Sequence, residues 1–382
     1  MGSAIVDVEQ LRALRAAGRD LRGAVLVGLD LTAPDNDRLL RTALDGALML
    51  GCQLTSASRA RAYAAGVLMF PDIPDLPYQV YRSSLYTPEE LFAGFDPARP
   101  ETYADTVDAR VYRHVRAGGE NPGPVLALSR RLHDHGIAEA LHDVLDQAGA
   151  PVAVMGGHEL ARNSDGYRNA VSLGLALGRS PAGFTVLTGG GPGAMEAIPL
   201  GVRLSEADSS DVDKALHELA TAPTFGQSAV DHAAIGRWIA AALRIHLPPA
   251  KRPRTIGIPT WFYGHEPPNV FVSFHAKYFA NSVREDGLLT VATGGVVYTP
   301  GSAGTVQEVF QDYTQNHYGS IGPPAPMVFL GKDFWLNDVP AAPLVQQLAK
   351  GRPPERWILV TDDIDEAVAL LEDYQRTAPG AR

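Results

Sequence analysis

Two segments of this chain end a short apolar run in glycine and reopen at once as a helical pattern. They are "TVLTGGGPGAMEA" (185–197) and "VVYTPGSAGTVQE" (296–308). A buried strand that passes through glycines straight into a helix is the repeating unit of a parallel sheet. The neighbouring sequence keeps that rhythm from residue 151 onward. "PVAVMGG", "RTIGIPT", "APMVFLG" and "RWILV" read as strands, and "SDGYRNAVSLGLALGRS", a stretch around 211–246 and "DIDEAVALLEDY" read as helices. "PNVFVSFHAKYFANSVREDGLLTVAT" (268–293) reads as one long helix. The alternation predicts an α/β fold, a doubly wound parallel sheet of Rossmann-like type, with ligands at the carboxyl ends of the strands.

Residues 1–120 read as an N-terminal extension or small extra domain of unclear fold, and 121–382 as the nucleotide-binding domain. "RAGGENPGP" (116–124) serves as linker, followed by a helix over about 125–149. Leu21, Leu26 and Leu31 recur every five residues, as in one coil of a β-solenoid. Two intervals do not make a repeat, so a strand–turn–strand is the expectation. Pro71, Pro74 and Pro77 favour an extended segment anchored by Tyr78, Tyr81 and Tyr86, and Thr87-Pro88-Glu89-Glu90 starts a helix. His133 and His135 flank Asp134 without a third strong ligand nearby, and are expected as solvated surface histidines. No metal site is expected.

The chain of 382 residues carries a formal net charge of -10, which opposes binding to nucleic acid or an anionic membrane. It has one cysteine, Cys52, so no internal disulfide is possible and a reducing, cytoplasmic setting is expected. No apolar run reaches the length of a membrane span.

The two glycine turns carry the chemistry. Glycine lets a ligand approach the backbone, and the first amides of a helix point outward without an internal partner. An anion there meets several N–H donors and the positive end of the helix dipole. Thr305 adds a hydroxyl, and Glu308, three residues on, shares its face. A carboxylate one turn beyond a bound phosphate faces whatever that phosphate carries. At an anomeric carbon it can stabilise an oxocarbenium-like centre or activate water. Trp261, Phe262, Tyr263 and His265 lie in a loop after a strand, on the same edge, where they can stack on a base. Gly189, Gly191 and Ala194 also fit a dinucleotide fingerprint. That motif wants the first strand and an acid on the next strand end. This turn follows the second strand, and the acids of 206–213 read as a loop.

"TGGGPGAMEA" together with "PGSAGTVQE" resembles the signature of the LOG family, over roughly residues 150–335. The resemblance implies a phosphoribohydrolase that cleaves the N-glycosidic bond of nucleoside 5′-monophosphates, releasing free base and ribose 5-phosphate without a cofactor. The long N-terminal region is more like that of the family's long bacterial nucleosidases. Carried over, Gly190, Gly191, Gly193, Gly301, Ser302, Gly304 and Thr305 hold the phosphate, and Glu308 and Arg284 are catalytic. Gly156, Gly157, Met195, Glu196, Trp261, Tyr263 and His265 make further ligand contacts. The implied partner is a small-molecule nucleotide, and a homo-oligomer, dimer or higher, is expected. Two departures stand out: Ser302 replaces the usual glycine, and Arg284 sits about one residue further from Pro300. They motivate the alternative of a nucleotide-binding sensor without turnover. The lysine-decarboxylase label sometimes given to this family would need a pyridoxal lysine. Lys277, read as mid-helix, has no supporting signature.

Overall fold

The computed structural model describes residues 4–119, 122–157, 160–226, 231–247, 254–262 and 266–377. They form two compact units, Met1–Ser84 with Gly118–Ala140, and Leu85–Ala117 with Leu141–Arg382. The division differs from a single break at residue 120, because 85–117 belong with the larger unit and 118–140 with the smaller.

The smaller unit runs α1 (Val8–Ala16), β1 (Val25–Val27), β2 (Asp30–Leu31), α2 (Pro34–Leu39), β3 (Leu48–Leu50), β4 (Gln53–Leu54), α3 (Ser56–Ala64) and β5 (Leu68–Phe70). Strands β1, β3 and β5 form one parallel sheet, and β2 pairs with β4 in another. This corrects the strand–turn–strand expectation. Val25 pairs with Leu48, a step of 23 residues, and Leu48 with Leu68, a step of 20. The corner between β1 and β2 keeps the ladder going: the Gly28 N–H donates to Leu50 O and the Gln53 N–H to Leu29 O. The repeat is visible once the step is known. "LRGAVLVGLDLT" (21–32) and "LDGALMLGCQLT" (44–55) align, with Gly28 and Gly51 at φ 67° and 62° turning the same corner. Leu21, Leu26, Leu31, Leu44, Met49 and Leu54 stack inside the coil.

Next come α4 (Pro88–Leu91), capped by the Thr87 hydroxyl, α5 (Val107–Gly118) and α6 (Pro124–Leu145). On α6, His135 is exposed but His133 is buried, its Nδ1 3.1 Å from Asp134 Oδ1 and its ring edge-on to Tyr78. The surface reading of His133 is therefore corrected. Burial lowers its pKa and favours the neutral ring.

The larger unit carries β6 (Pro151–Met155), α7 (Asp165–Arg179), β7 (Thr185–Thr188), α8 (Ala194–Arg203), α9 (Ser209–Leu219), α10 (His232–Leu243), β8 (Thr255–Gly257) and β9 (Phe274–His275). It continues with α11 (Asn281–Val291), β10 (Val296–Tyr298), α12 (Ala303–Tyr318), β11 (Met327–Leu330), α13 (Ala341–Ala349), β12 (Ile358–Thr361) and α14 (Ile364–Thr377). The seven strands are all parallel, in the order β12-β11-β10-β6-β7-β8-β9. The central strands β6, β7, β8 and β10 are buried almost throughout, as a sheet covered on both faces requires. The doubly wound α/β fold is thus present. β6 starts in the middle; later strands add first on one side and then, from β10, on the other. The strand order switches between β6 and β10.

Helix α7 packs on α8 and on α14, while α12 packs on α11 and α13. The α7–α8 contact is glycine-made. A Cβ on Gly174 would collide with Ile198 O, and one on Gly201 with Val171 O. Gly174→Ala is expected to force these helices apart and to cost about 1–3 kcal/mol by overpacking, read as a lowered urea midpoint.

The long helix expected over 268–293 is half extended. Pro267 and Pro268 precede an extended run in which Phe274 and His275 pair with β8, and the helix begins only at Asn281. His275 also exchanges both backbone hydrogen bonds with Tyr86. Aromatic and β-branched residues here pack as sheet rather than helix. Lys277 is accordingly not mid-helix. It is buried, with Nζ 2.5 Å from Asp108 Oδ1 and 5.1 Å from the centre of the Trp261 ring. Among the described residues no helix is long and apolar enough to cross a membrane.

Candidate functional site

The carboxyl ends of four strands meet at the switch point. After β6 come Gly156 and Gly157, both with positive φ (107° and 67°). A Cβ on Gly156 would lie 2.8 Å from Thr299 Oγ1, and one on Gly301 only 3.1 Å from Gly156 Cα. The β6 and β10 turns therefore touch backbone to backbone. Gly157 O accepts from Ala194 N at 2.9 Å, joining the β6 turn to the start of α8. A Cβ on Gly190, at φ 76°, would lie 3.0 Å from Gly257 Cα, joining the β7 turn to the end of β8. Both glycine turns read from the sequence thus belong to one continuous cluster of strand ends.

The two helix starts are alike. Gly193, at φ 68°, caps α8 and Ser302 caps α12, and neither helix receives a side-chain cap. Thr305 is buried with its Oγ1 against Gly301, whereas Ser302, Ala303 and Gly304 are exposed. A Cβ on Gly304 would meet no protein atom within 4 Å, so packing does not demand glycine there. Met195 lies against the other turn, its Cε 3.0 Å from where a Cβ of Gly191 would be; Glu266 Oε2 lies 3.4 Å from that point.

Arg284 on α11 ties these parts to the carboxylate. Its Nε donates to Ile258 O at 2.9 Å, and its Nη1 stands 3.6 Å from Glu308 Oε1. Its Nη2 lies 2.5 Å from the place of a Cβ on Gly189, so any side chain there would displace the guanidinium. Arg284 and Glu308 each have 14% of the side chain exposed. Burial pushes the Glu308 carboxyl up to about 7; Arg284 opposes this, and Glu285 adds to it. One helical turn on, Asp312 is buried, accepts from Tyr298 OH at 2.7 Å, and is likewise pushed up to about 7 by burial. Sequence reading missed Asp312. The available signal was its i+4 relation to Glu308.

A carboxyl group raised in the fold favours the folded state at low pH. The Glu308 and Asp312 contribution is complete below pH 4 and is lost as pH rises through about 7. Asp312→Asn is expected to flatten this decline between pH 5 and 8. The gain at pH 8 should be on the order of a few kcal/mol at most, read from urea midpoints across pH.

Other expected contacts lie elsewhere. Glu196 is fully buried and bonded to Arg162 (2.5 and 2.9 Å) and to Tyr167 OH (2.8 Å). It is an internal ion pair, not a ligand contact, because its carboxylate is fully buried and both of its oxygens are bonded inside the protein. Trp261 is also buried, stacked on Phe279 at 4.7 Å and edge-on to Tyr86, so it is core rather than a base platform. Phe262 is exposed. Tyr263 and His265 lie outside the described residues. A cavity of about 420 Å³ opens on the other side of the β10 turn, lined by Leu160, Asn169, Thr299, Pro300, Asp362 and Ile364 among others.

Fold and site together define a doubly wound α/β protein with a near-neutral carboxylate and an arginine beside two glycine-opened helix starts. In comparison with known proteins, no family model matches the chain and no curated protein matches it.

Proposed function

We propose that this protein hydrolyses the N-glycosidic bond of nucleoside 5′-monophosphates, giving free base and ribose 5-phosphate. The observation that carries the reading is the Arg284–Glu308 pair, 3.6 Å apart, set against the glycine turn of β7 and one turn beyond Thr305. The resemblance of both turns to the LOG signature supports it.

In this reading the phosphate docks on the amides that open α12 and on the Thr305 hydroxyl, with the β7 turn closing the other side. The ribose then faces Glu308. As the C1′–N bond breaks, its electron pair leaves with the base, which takes a proton from solvent. The ionised Glu308 stabilises the positive charge at C1′ and accepts a proton from the water whose oxygen bonds there. Arg284 keeps a useful fraction of Glu308 ionised despite its burial. Among the described residues of the loop after β8, Phe262 is an exposed aromatic side chain that can stack on the base.

Incubating the protein with the common nucleoside monophosphates and separating the products tests this directly. Free base is expected from at least one, and none from the corresponding nucleosides. A nucleotide that raises Tm without being consumed would favour the sensor reading that Ser302 motivates. Gly304→Ala is expected to fold at least as stably, since alanine suits a helix better and meets no protein atom. Its methyl group would stand in the phosphate's path and raise KM.

A further inference from the structure

We infer that Asn269, held in turn by His275, is the positioning residue that presets the β7 glycine turn for an anion. The inference rests on the nucleotide reading of this site.

Asn269 is fully buried and spends its N–H donors on that turn. Its backbone N–H donates to Gly190 O at 2.9 Å. The two hydrogens of its amide go to Gly191 O at 3.3 Å and Met195 O at 3.0 Å. Its Oδ1 accepts from Phe271 N at 3.1 Å, fixing which end of the amide is the donor. Three carbonyls of the turn and the first helical residues are thereby drawn inward by one residue. In a planar trans peptide the N–H points opposite to the C=O. With Gly190 O drawn toward Asn269, the Gly191 N–H points the opposite way, away from Asn269. The left-handed conformation of Gly190 permits that reversal, and Thr188 Oγ1 takes the Gly190 N–H at 3.2 Å.

His275 completes the support. It is fully buried, and its Nε2 stands 2.8 Å from Asn269 O. A carbonyl only accepts, so Nε2 carries the proton and Nδ1 does not. Nδ1 has no hydrogen-bond partner among the described residues. It faces Gly257, where a Cβ would sit 2.7 Å from it. Burial holds this histidine neutral, so the tautomer does not change across the physiological range. The polar pattern of a buried histidine and a buried asparagine beneath a glycine turn is a cost unless it fixes a shape.

Calorimetric titration of the full chain with ribose 5-phosphate, and with inorganic phosphate as a second probe, tests the inference. Asn269→Ala is expected to weaken ribose 5-phosphate by about tenfold or more. In turnover it should raise KM far more than it lowers kcat, a split that loss of stability alone would not produce. His275→Phe removes the donor to residue 269 and is expected to weaken binding. His275→Gln restores a neutral donor and should recover affinity to within roughly threefold. Unchanged affinity in Asn269→Ala overturns the inference. If that variant does not fold, equal affinity of the Phe and Gln variants overturns it instead. Failure of the unaltered protein to bind either probe would reject the nucleotide reading itself.

Discussion

Glu308→Gln is expected to lower kcat by about 10²–10⁴-fold, the range removed with a positioned general base, while the protein stays folded. Glutamine has nearly the shape of the carboxylic acid and can still accept from Arg284, so the neighbouring turns should keep their places. It cannot accept a proton or offset positive charge at the sugar. Burial raises Glu308 to about 7, so the unaltered enzyme should lose activity as pH falls through that value. The variant's residual rate should lack that limb. Replacing a buried acid whose proton is lost as pH rises through 7 should also leave the variant no less stable at pH 8. Product analysis beside a urea titration checks both halves. Undiminished release of base by the variant would remove Glu308 from the chemistry.

Arg162→Met is expected to give the largest loss of stability. The Arg162 side chain is 1% exposed and the Glu196 side chain 0%. Arg162 also donates to Trp238 O at 2.8 Å, and its guanidinium lies 4.0 Å from the centre of the Trp238 ring. Removing it strands a carboxylate of the first turn of α8 in the protein interior. Breaking a buried pair on one side costs about 3–5 kcal/mol, which should lower Tm on the order of 10 °C. Arg162→Met with Glu196→Gln should recover much of the loss, because a neutral amide replaces the stranded charge and still accepts from Tyr167. A single variant as stable as the double would mean that Glu196 is not held by this pair. If ligand affinity falls only in proportion to stability, Glu196 is a structural residue, as its bonding indicates.

Much of the larger unit was legible because its signals are local. Each strand of the sheet core is a short apolar run, and its end is marked by glycine or proline within the same ten residues. Glu308 followed from helical spacing to Thr305. What was hidden depended on partners far away in sequence. Glu196 looks like an acid in the first turn of a helix, favourable to the dipole; its arginine lies 34 residues upstream. Trp261 sits among loop-like residues, and its burial comes from Phe279 and from Tyr86. The run from 270 to 280 has apolar residues at intervals that suit a helix as well as a strand. Pairing with β8 and with Tyr86 decides it. His133 reads as one of two histidines around an aspartate, and only the packing of α6 separates the buried one from the exposed one. The leucines of the N-terminal repeat recur every five residues along one coil, whereas the steps between coils are 23 and then 20 residues.

Those steps have a consequence for how this part of the chain can vary. In an array where each winding meets chiefly the ones before and after it, excising a whole winding leaves the remaining ones in register. A deletion that slips the pairing by a single residue would turn the inward leucines of that strand toward water. Length in this region should therefore change by whole modules, and the glycines at 28 and 51, at the same corner of successive coils, are equivalent points at which one module can be spliced to another.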